Sequence, residues 1–395
     1  MQTLTGTRRI ASIDFLRGAV MIIMALDHVR DYFHADAFLY DPLDLSQTNG
    51  WLFFTRWITH FCAPVFMFLA GTSAFLVGQR KSKKELSLFL LKRGIWLIIL
   101  EFTLINFAWN FDIAFNSIYF IVIWALGLSM VIMAALIYLP LPVILLFGLL
   151  LTGGHNLLDN THVPGNTLKG FGWSLFHELG FFTAGSRNFL IGYPIVPWVG
   201  VMALGYCAGS LYKNDVPAET RRRLLRIIGI SAIVLFIIVR LINSYGDPSH
   251  WEKQATPFFT FLSFINVTKY PPSLLYLLLM LGPALIMLSY TENVSNAVSR
   301  VVSVYGRVPM LYYILHLYFI HVATLFAAEW FTSFSWRDWI MKQPLWFAQH
   351  LQGYGFSLTV TYIVWIAIVL LLYPICKWYD GYKSSHKEKW WLSYL

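Results

Sequence analysis

Apolar residues come in repeated long runs, parted by shorter polar stretches rich in Lys and Arg. Most runs are about 20 residues, the length a helix needs to cross ~30 Å of hydrocarbon at 1.5 Å per residue. The pattern predicts helices over roughly 15–33, 54–78, 89–110, 117–138, 141–152, 195–212, 224–243, 272–290, 308–330 and 357–377. The fifth run is short, since twelve residues reach only ~18 Å as a helix. Pro140 and Pro142 predict a tight hairpin between the fourth and fifth. The expected fold is all-α: a polytopic membrane bundle of about ten transmembrane helices, in a single domain over 1–395.

Composition agrees. Hydrophobic residues make up 57% of 395 and charged residues 12%, with a mean hydropathy of +0.60. A water-soluble chain normally carries about a quarter charged residues. The 16 Trp, 21 Tyr and 32 Phe suit rings placed at both membrane interfaces. The net charge of +9 does not imply nucleic acid, because the basic residues gather in short loops between apolar runs. That distribution orients the chain. With the N-terminus inside and all ten helices spanning, 20 of the 29 Lys and Arg are cytoplasmic, including Arg8, Arg9, Arg17, Arg307 and Lys387. Both termini are then expected in the cytoplasm. No removable signal peptide is evident, so the first helix is expected to remain as an anchor. Cys62, Cys207 and Cys376 are isolated in or beside apolar runs and read as small packed hydrophobes. The longer segments 34–53, 153–194, 244–271 and 331–356 fall outside, and 153–194 is long enough to hold short helices over the bundle.

Candidate chemistry starts in the first helix, SIDFLRGAVMIIMALDHVRDYFH. Ionisable groups within a membrane are costly and need a partner, a wet cavity or a purpose. Arg17 and His28 are eleven residues apart, which returns the helix to within about 20° after three turns and ~16 Å along the axis. One stripe thus carries a permanent cation toward the cytoplasm and an imidazole toward the outer half. The cation suits an anionic donor from inside, and the imidazole suits removal of a proton from a hydroxyl or amine. Asp31, one turn beyond His28, is placed to fix its tautomer, and Asp27 adjoins it. His34 is a second candidate base. Plainer readings stand beside these: Arg17 snorkels to headgroups and pairs with Asp14, and His28 only makes structural hydrogen bonds. Asp27, Asp31 and His34 share a face that a metal would need, but no second cluster has matching spacing, and no metal is expected.

The ninth helix offers Tyr312 and His316 on one face, either lining the same cavity or bonding helices together. His60 is a further cavity candidate, and Glu101 is a costly acid without an assigned role. The small-residue string Ala70 to Phe75 permits close helix packing or leaves room for a slender pantetheine arm.

RIASIDFLRG (Arg9 to Gly18), the following DHVRD and FCAPVFMFLAGTSAFL (Phe61 to Leu76) resemble the bacterial branch of the heparan-α-glucosaminide N-acetyltransferase-like proteins. KYPPSLLYLLLMLGP (Lys269 to Pro283) and YGRVPMLYYILHLYFIH (Tyr305 to His321) are similar to later signatures of that branch. Arg17 and His28 also fit the R-x10-H pattern of membrane acyltransferase-3 families. The resemblance implies acetyl-CoA used from the cytoplasm and a sugar amine or hydroxyl acetylated on the far side of a bacterial inner membrane. It implies a catalytic histidine at the outer end of the first helix or in the next loop, here His28 or His34. Arg17 and Arg307 become the candidates for the CoA phosphates. No heparan-processing lumenal domain is recognisable, so heparan is not the expected acceptor. The partners expected are acyl-CoA, a glycan acceptor and the bilayer, with self-association left open. The rival reading is a proton-coupled transporter or flippase, which usually brings two similar halves with broken helices; no such halves are found.

Overall fold

The computed structural model of the protein describes residues 10–386, 388, 389 and 392; Arg8, Arg9 and Lys387 of the charge count lie outside them. All ten expected helices are present, and several start where a side chain takes up free backbone N–H groups. They begin with α1 (Ala11–Phe33) and α2 (Gly50–Gly78), the latter capped by Asn49. Ser82 and Glu85 form a capping box at the start of α3 (Lys83–Leu100), which continues through a wide turn at Glu101–Ile105 to Asn110.

The fourth expected helix is corrected at its start. Ser117–Phe120 is a strand, β1, and α4 is Val122–Leu136. The segment SIYF alternates buried and partly buried positions and pairs in parallel with β3 (Arg187–Ile191), which pairs antiparallel with β2 (Gly180–Ala184). Because SIYF runs straight into the apolar residues of α4, its period of two is hidden inside a longer hydrophobic stretch. The fifth helix is longer than expected. With its final tight turn, α5 covers Leu141–Leu158, 18 residues or about 27 Å.

The 153–194 segment holds a short helix, α6 (Leu168–Phe176), as expected, and the β2–β3 hairpin, which was not. Next come α7 (Ile195–Tyr212), α8 (Ala218–Ile242), α9 (Pro257–Ile265), α10 (Leu274–Thr291), α11 (Ala297–Arg307), α12 (Pro309–Phe331) and α13 (Leu358–Ser385). Among the described residues, seven helices are long and apolar enough to cross a membrane: α2, α5, α7, α8, α10, α12 and α13. The shorter α4 is apolar too.

α1 packs against α2, α10, α11, α12 and α13, so the helix that carries Arg17, Asp27, His28, Arg30 and Asp31 is central. The α1–α11 contact is close because glycines leave room for it. A Cβ on Gly18 would run into the Val302 carbonyl, and one on Gly306 into that of Asp14. Gly71 and Gly205 play the same part between α2 and α7. By contrast α8 and α13 turn most of their apolar residues outward, Ile228, Val234 and Leu241 on α8 among them, as lipid-facing helices do.

Candidate active site

Two cavities lie along α1. The smaller, about 210 Å³, is lined by Arg17 from α1, Ser73 from α2, Arg93 from α3 and apolar side chains including Met21, Leu97 and Met130. The larger, about 480 Å³, is lined by Asp27, His28, Arg30 and Asp31 from α1, Arg56 from α2, Trp109, and Lys269 and Tyr270 from the α9–α10 loop. Phe66, Val122 and Tyr313 line both, so the two abut across these three side chains. The stripe that helical geometry drew from Arg17 to His28 therefore faces adjoining cavities, with one residue in each.

Arg17 is held in place. It donates to the Gly306 carbonyl at 3.1 Å and to Ser73 Oγ at 2.9 Å, and its guanidinium lies 3.6 Å from Asp14. The tight α1–α11 crossing brings that carbonyl within reach, which links the glycines of the fold to the aim of the cation. The small-residue string packs closely on α7 and also lines a cavity. Gly71 packs on α7 and Thr72 donates to the Gly205 carbonyl at 3.0 Å, while Ala70, Ser73 and Ala74 face the smaller cavity. Arg307 is not beside Arg17 in that cavity. Its Nε donates to Asp380 at 2.6 Å, tying α11 to α13. The second guanidinium lining the cavity belongs to Arg93.

In the larger cavity the carboxylates are already engaged by cations. Arg56 donates to Asp27 Oδ2 at 2.6 Å, Arg30 lies 3.0 Å from Asp27 Oδ1, and Lys269 Nζ stands 3.9 Å from Oδ2. Asp31 is bound by Arg30. Asp31 was expected to orient His28, and here the geometry differs. The intervening Arg30 claims both acids, and His28 Nδ1 has no hydrogen-bond partner. His28 is steered by rings instead. It meets Trp109 edge-on at 4.9 Å and the His316 ring at 5.1 Å. His316 Nδ1 donates to the Tyr312 carbonyl at 3.0 Å, which leaves its Nε2 as a bare acceptor. Tyr312 stacks on His316 nearly parallel at 5.4 Å.

Other expected cavity residues stand back from it. His60 is fully buried against Tyr276, at 5.4 Å between rings, while its neighbours Thr59 and Cys62 reach the cavity. Tyr312 and His316 are buried behind His28, and Tyr313 lines the wall. His34 sits at the exit of α1, its Nδ1 donating to the Phe356 carbonyl at 3.1 Å where these two segments bridge, and it lines neither cavity. With Asp27 and Asp31 held by arginines and His34 turned to Phe356, this trio does not converge as metal ligands. Glu101 is buried and accepts from the Trp124 backbone N–H at 2.9 Å, a structural role between α3 and α4. Burial pushes the Tyr270 hydroxyl up, but Lys269 and Arg56 outweigh it and hold the group below the usual phenol value. The larger cavity is thus lined by three cations, Arg30, Arg56 and Lys269, against three carboxylates, Asp27, Asp31 and Asp41.

Sequence reasoning missed Arg30, Arg56, Arg93, Lys269 and Tyr313. Arg56 carried a usable signal, a lone guanidinium at the head of an apolar run. Also unexpected is His155, Asp159 and His177, whose ligand-type atoms lie within 4.8 Å of one another. The first two are four residues apart, a spacing that puts them on one helical face, and the third joins only through folding.

No curated relative matches the chain. The family model for heparan-alpha-glucosaminide N-acetyltransferase, catalytic, matches residues 9–243, more than half of it. The match takes in Arg17, Asp27, His28, Arg56 and Arg93; Lys269, Tyr313 and His316 lie beyond it. Its helices, its paired cavities and this match agree: the chain belongs to the heparan-alpha-glucosaminide N-acetyltransferase catalytic family, a family of transmembrane acetyltransferases.

Proposed function

We propose that the protein transfers an acetyl group from cytoplasmic acetyl-CoA to a sugar amine or hydroxyl on the outer side of a bacterial inner membrane, with both termini in the cytoplasm. The observation that carries this is the pair of abutting cavities, one holding Arg17 and Arg93 and the other His28. Donor phosphates pair with the two guanidiniums, which bind phosphate through charge-assisted hydrogen bonds. The apolar walls between Met21 and Met130 suit the pantetheine arm, which delivers the thioester past Phe66, Val122 and Tyr313. The acceptor occupies the larger cavity.

The chemistry rests on what His28 can do there. As the acceptor N or O attacks the thioester carbonyl, His28 takes the proton from the attacking atom. The C–S bond breaks, and the CoA sulfur leaves as a thiolate that regains a proton. Arg30 and Lys269 supply positive potential where negative charge grows on the carbonyl oxygen. His316, behind His28, helps hold the ring in position. The test is acetyl transfer by purified protein in liposomes. His28→Ala is expected to lower transfer about 10²- to 10⁴-fold while acetyl-CoA still raises the melting temperature. Wild-type turnover in His28→Ala would overturn the assignment.

A further inference from the structure

Outside the two cavities, a buried cluster of titratable groups among the described residues has no use in this scheme. His155 closes α5, Asp159 lies in the turn after it, and His177 comes directly after the last residue of α6. Both histidines are 2% exposed, and none of their four ring nitrogens has a well-aligned hydrogen bond; their nearest polar partners are the Pro272 carbonyl for His155 and Asp159 for His177. Leaving buried polar groups so poorly partnered is costly, so two such imidazoles beside a carboxylate point to an absent ligand.

The carboxylate is aimed. Asn156 donates to Asp159 Oδ2 at 2.7 Å, and Asn156 is itself fixed by the Leu274 N–H at 2.9 Å. The other oxygen, Oδ1, stands 3.3 Å from His177 Nε2. That is close to the separation of about 3.4 Å between donors bonded at ~2.1 Å to one tetrahedral ion. A hydrogen-bonded carboxylate next to two histidines is the pattern of a metal site with an ordered outer shell.

We propose that His155, Asp159 and His177 bind a divalent transition-metal ion, zinc foremost, with water in the fourth position. Two imidazoles and one carboxylate suit zinc and disfavour magnesium, which prefers six oxygens. The site's place in the fold gives it a function. It joins the end of α5 to the segment entering β2, and Leu179, two residues past His177, lines the larger cavity. The ion braces the roof of that cavity and takes no part in the transfer itself. The site stands on its own geometry, so it holds or fails independently of the acetyl-transfer reading.

The experiment uses full-length protein without a polyhistidine tag, purified in detergent from zinc-supplemented cells. Elemental analysis is expected to find about one zinc per chain, lost in both His155→Ala and His177→Ala. His162→Ala, which alters an exposed histidine paired with Glu178, is expected to keep it. Chelation should lower the melting temperature of the wild type, and added Zn²⁺ but not Mg²⁺ should restore it. Cobalt added to the chelated protein should give the visible absorption of a four-coordinate ion. Should the histidine variants fail to fold, the wild-type measurements decide alone. A wild type with no zinc and no melting response to Zn²⁺ overturns the proposal, as does zinc retained in both variants.

Discussion

The two cavities along α1 solve opposite electrostatic problems. The smaller is an apolar shaft ending in two guanidiniums, with Arg17 fixed by a carbonyl and a hydroxyl as well as by Asp14. The larger is a dense ionic network in which two aspartates are ringed by Arg30, Arg56 and Lys269. Its histidine, by contrast, packs against the Trp109 and His316 rings and has no hydrogen bond at Nδ1. A shaft lined this way suits a long ligand with an anionic head. A network with its acids already matched leaves the imidazole as the base. Burying so many charges is worthwhile only when they are closely paired, and here each acid has a cation at hand.

That contrast can be broken from either end. The largest effect is expected at His28: replacement by Ala should lower the rate of transfer about 10²- to 10⁴-fold, the usual contribution of a positioned general base. His34→Ala, measured in the same assay, should stay close to wild type. Next, Asp27→Ala leaves three cations without their shared acid and should cost roughly 3–5 kcal/mol of stability, read from the melting curve. Arg17→Ala should act on the donor side alone. Losing a charge-assisted contact of about 1.5–3 kcal/mol raises the acetyl-CoA KM about ten- to a hundredfold, with little change in kcat. A smaller effect still belongs to Arg307→Ala. Its partly exposed ion pair with Asp380 is worth about 0–1 kcal/mol, so donor KM should move less than fivefold.

The outcomes at Arg17 and Arg307 also mark what the amino-acid order could and could not reveal. The long apolar helices, seven of them of membrane-crossing length among the described residues, were legible because hydrocarbon thickness sets a run length that survives any packing arrangement. The Arg17–His28 stripe was legible because helical periodicity alone places both residues. Pairings across helices were not. Asp31 is close to His28 along the chain, yet Arg30 reaches it first, and only the packed structure decides that competition. Arg307 carries the right charge, but the α11–α13 contact turns it to Asp380. β1 was hidden for a related reason: its pairing partner lies some 70 residues away in β3, and an apolar strand next to an apolar helix has no boundary of its own. His177 likewise reaches His155 and Asp159 only through the fold of the 153–194 segment.

The account depends most on the proposed passage of the thioester between the cavities, where Val122 lines both. Val122→Trp puts a large ring in that neck without touching Arg17 or His28. Protection of the variant against thermal unfolding by desacetyl-CoA reports both folding and donor-head binding, and acetyl transfer reports the passage. Retained protection with transfer lost is the predicted result. Transfer at the wild-type rate through the narrowed neck would contradict it.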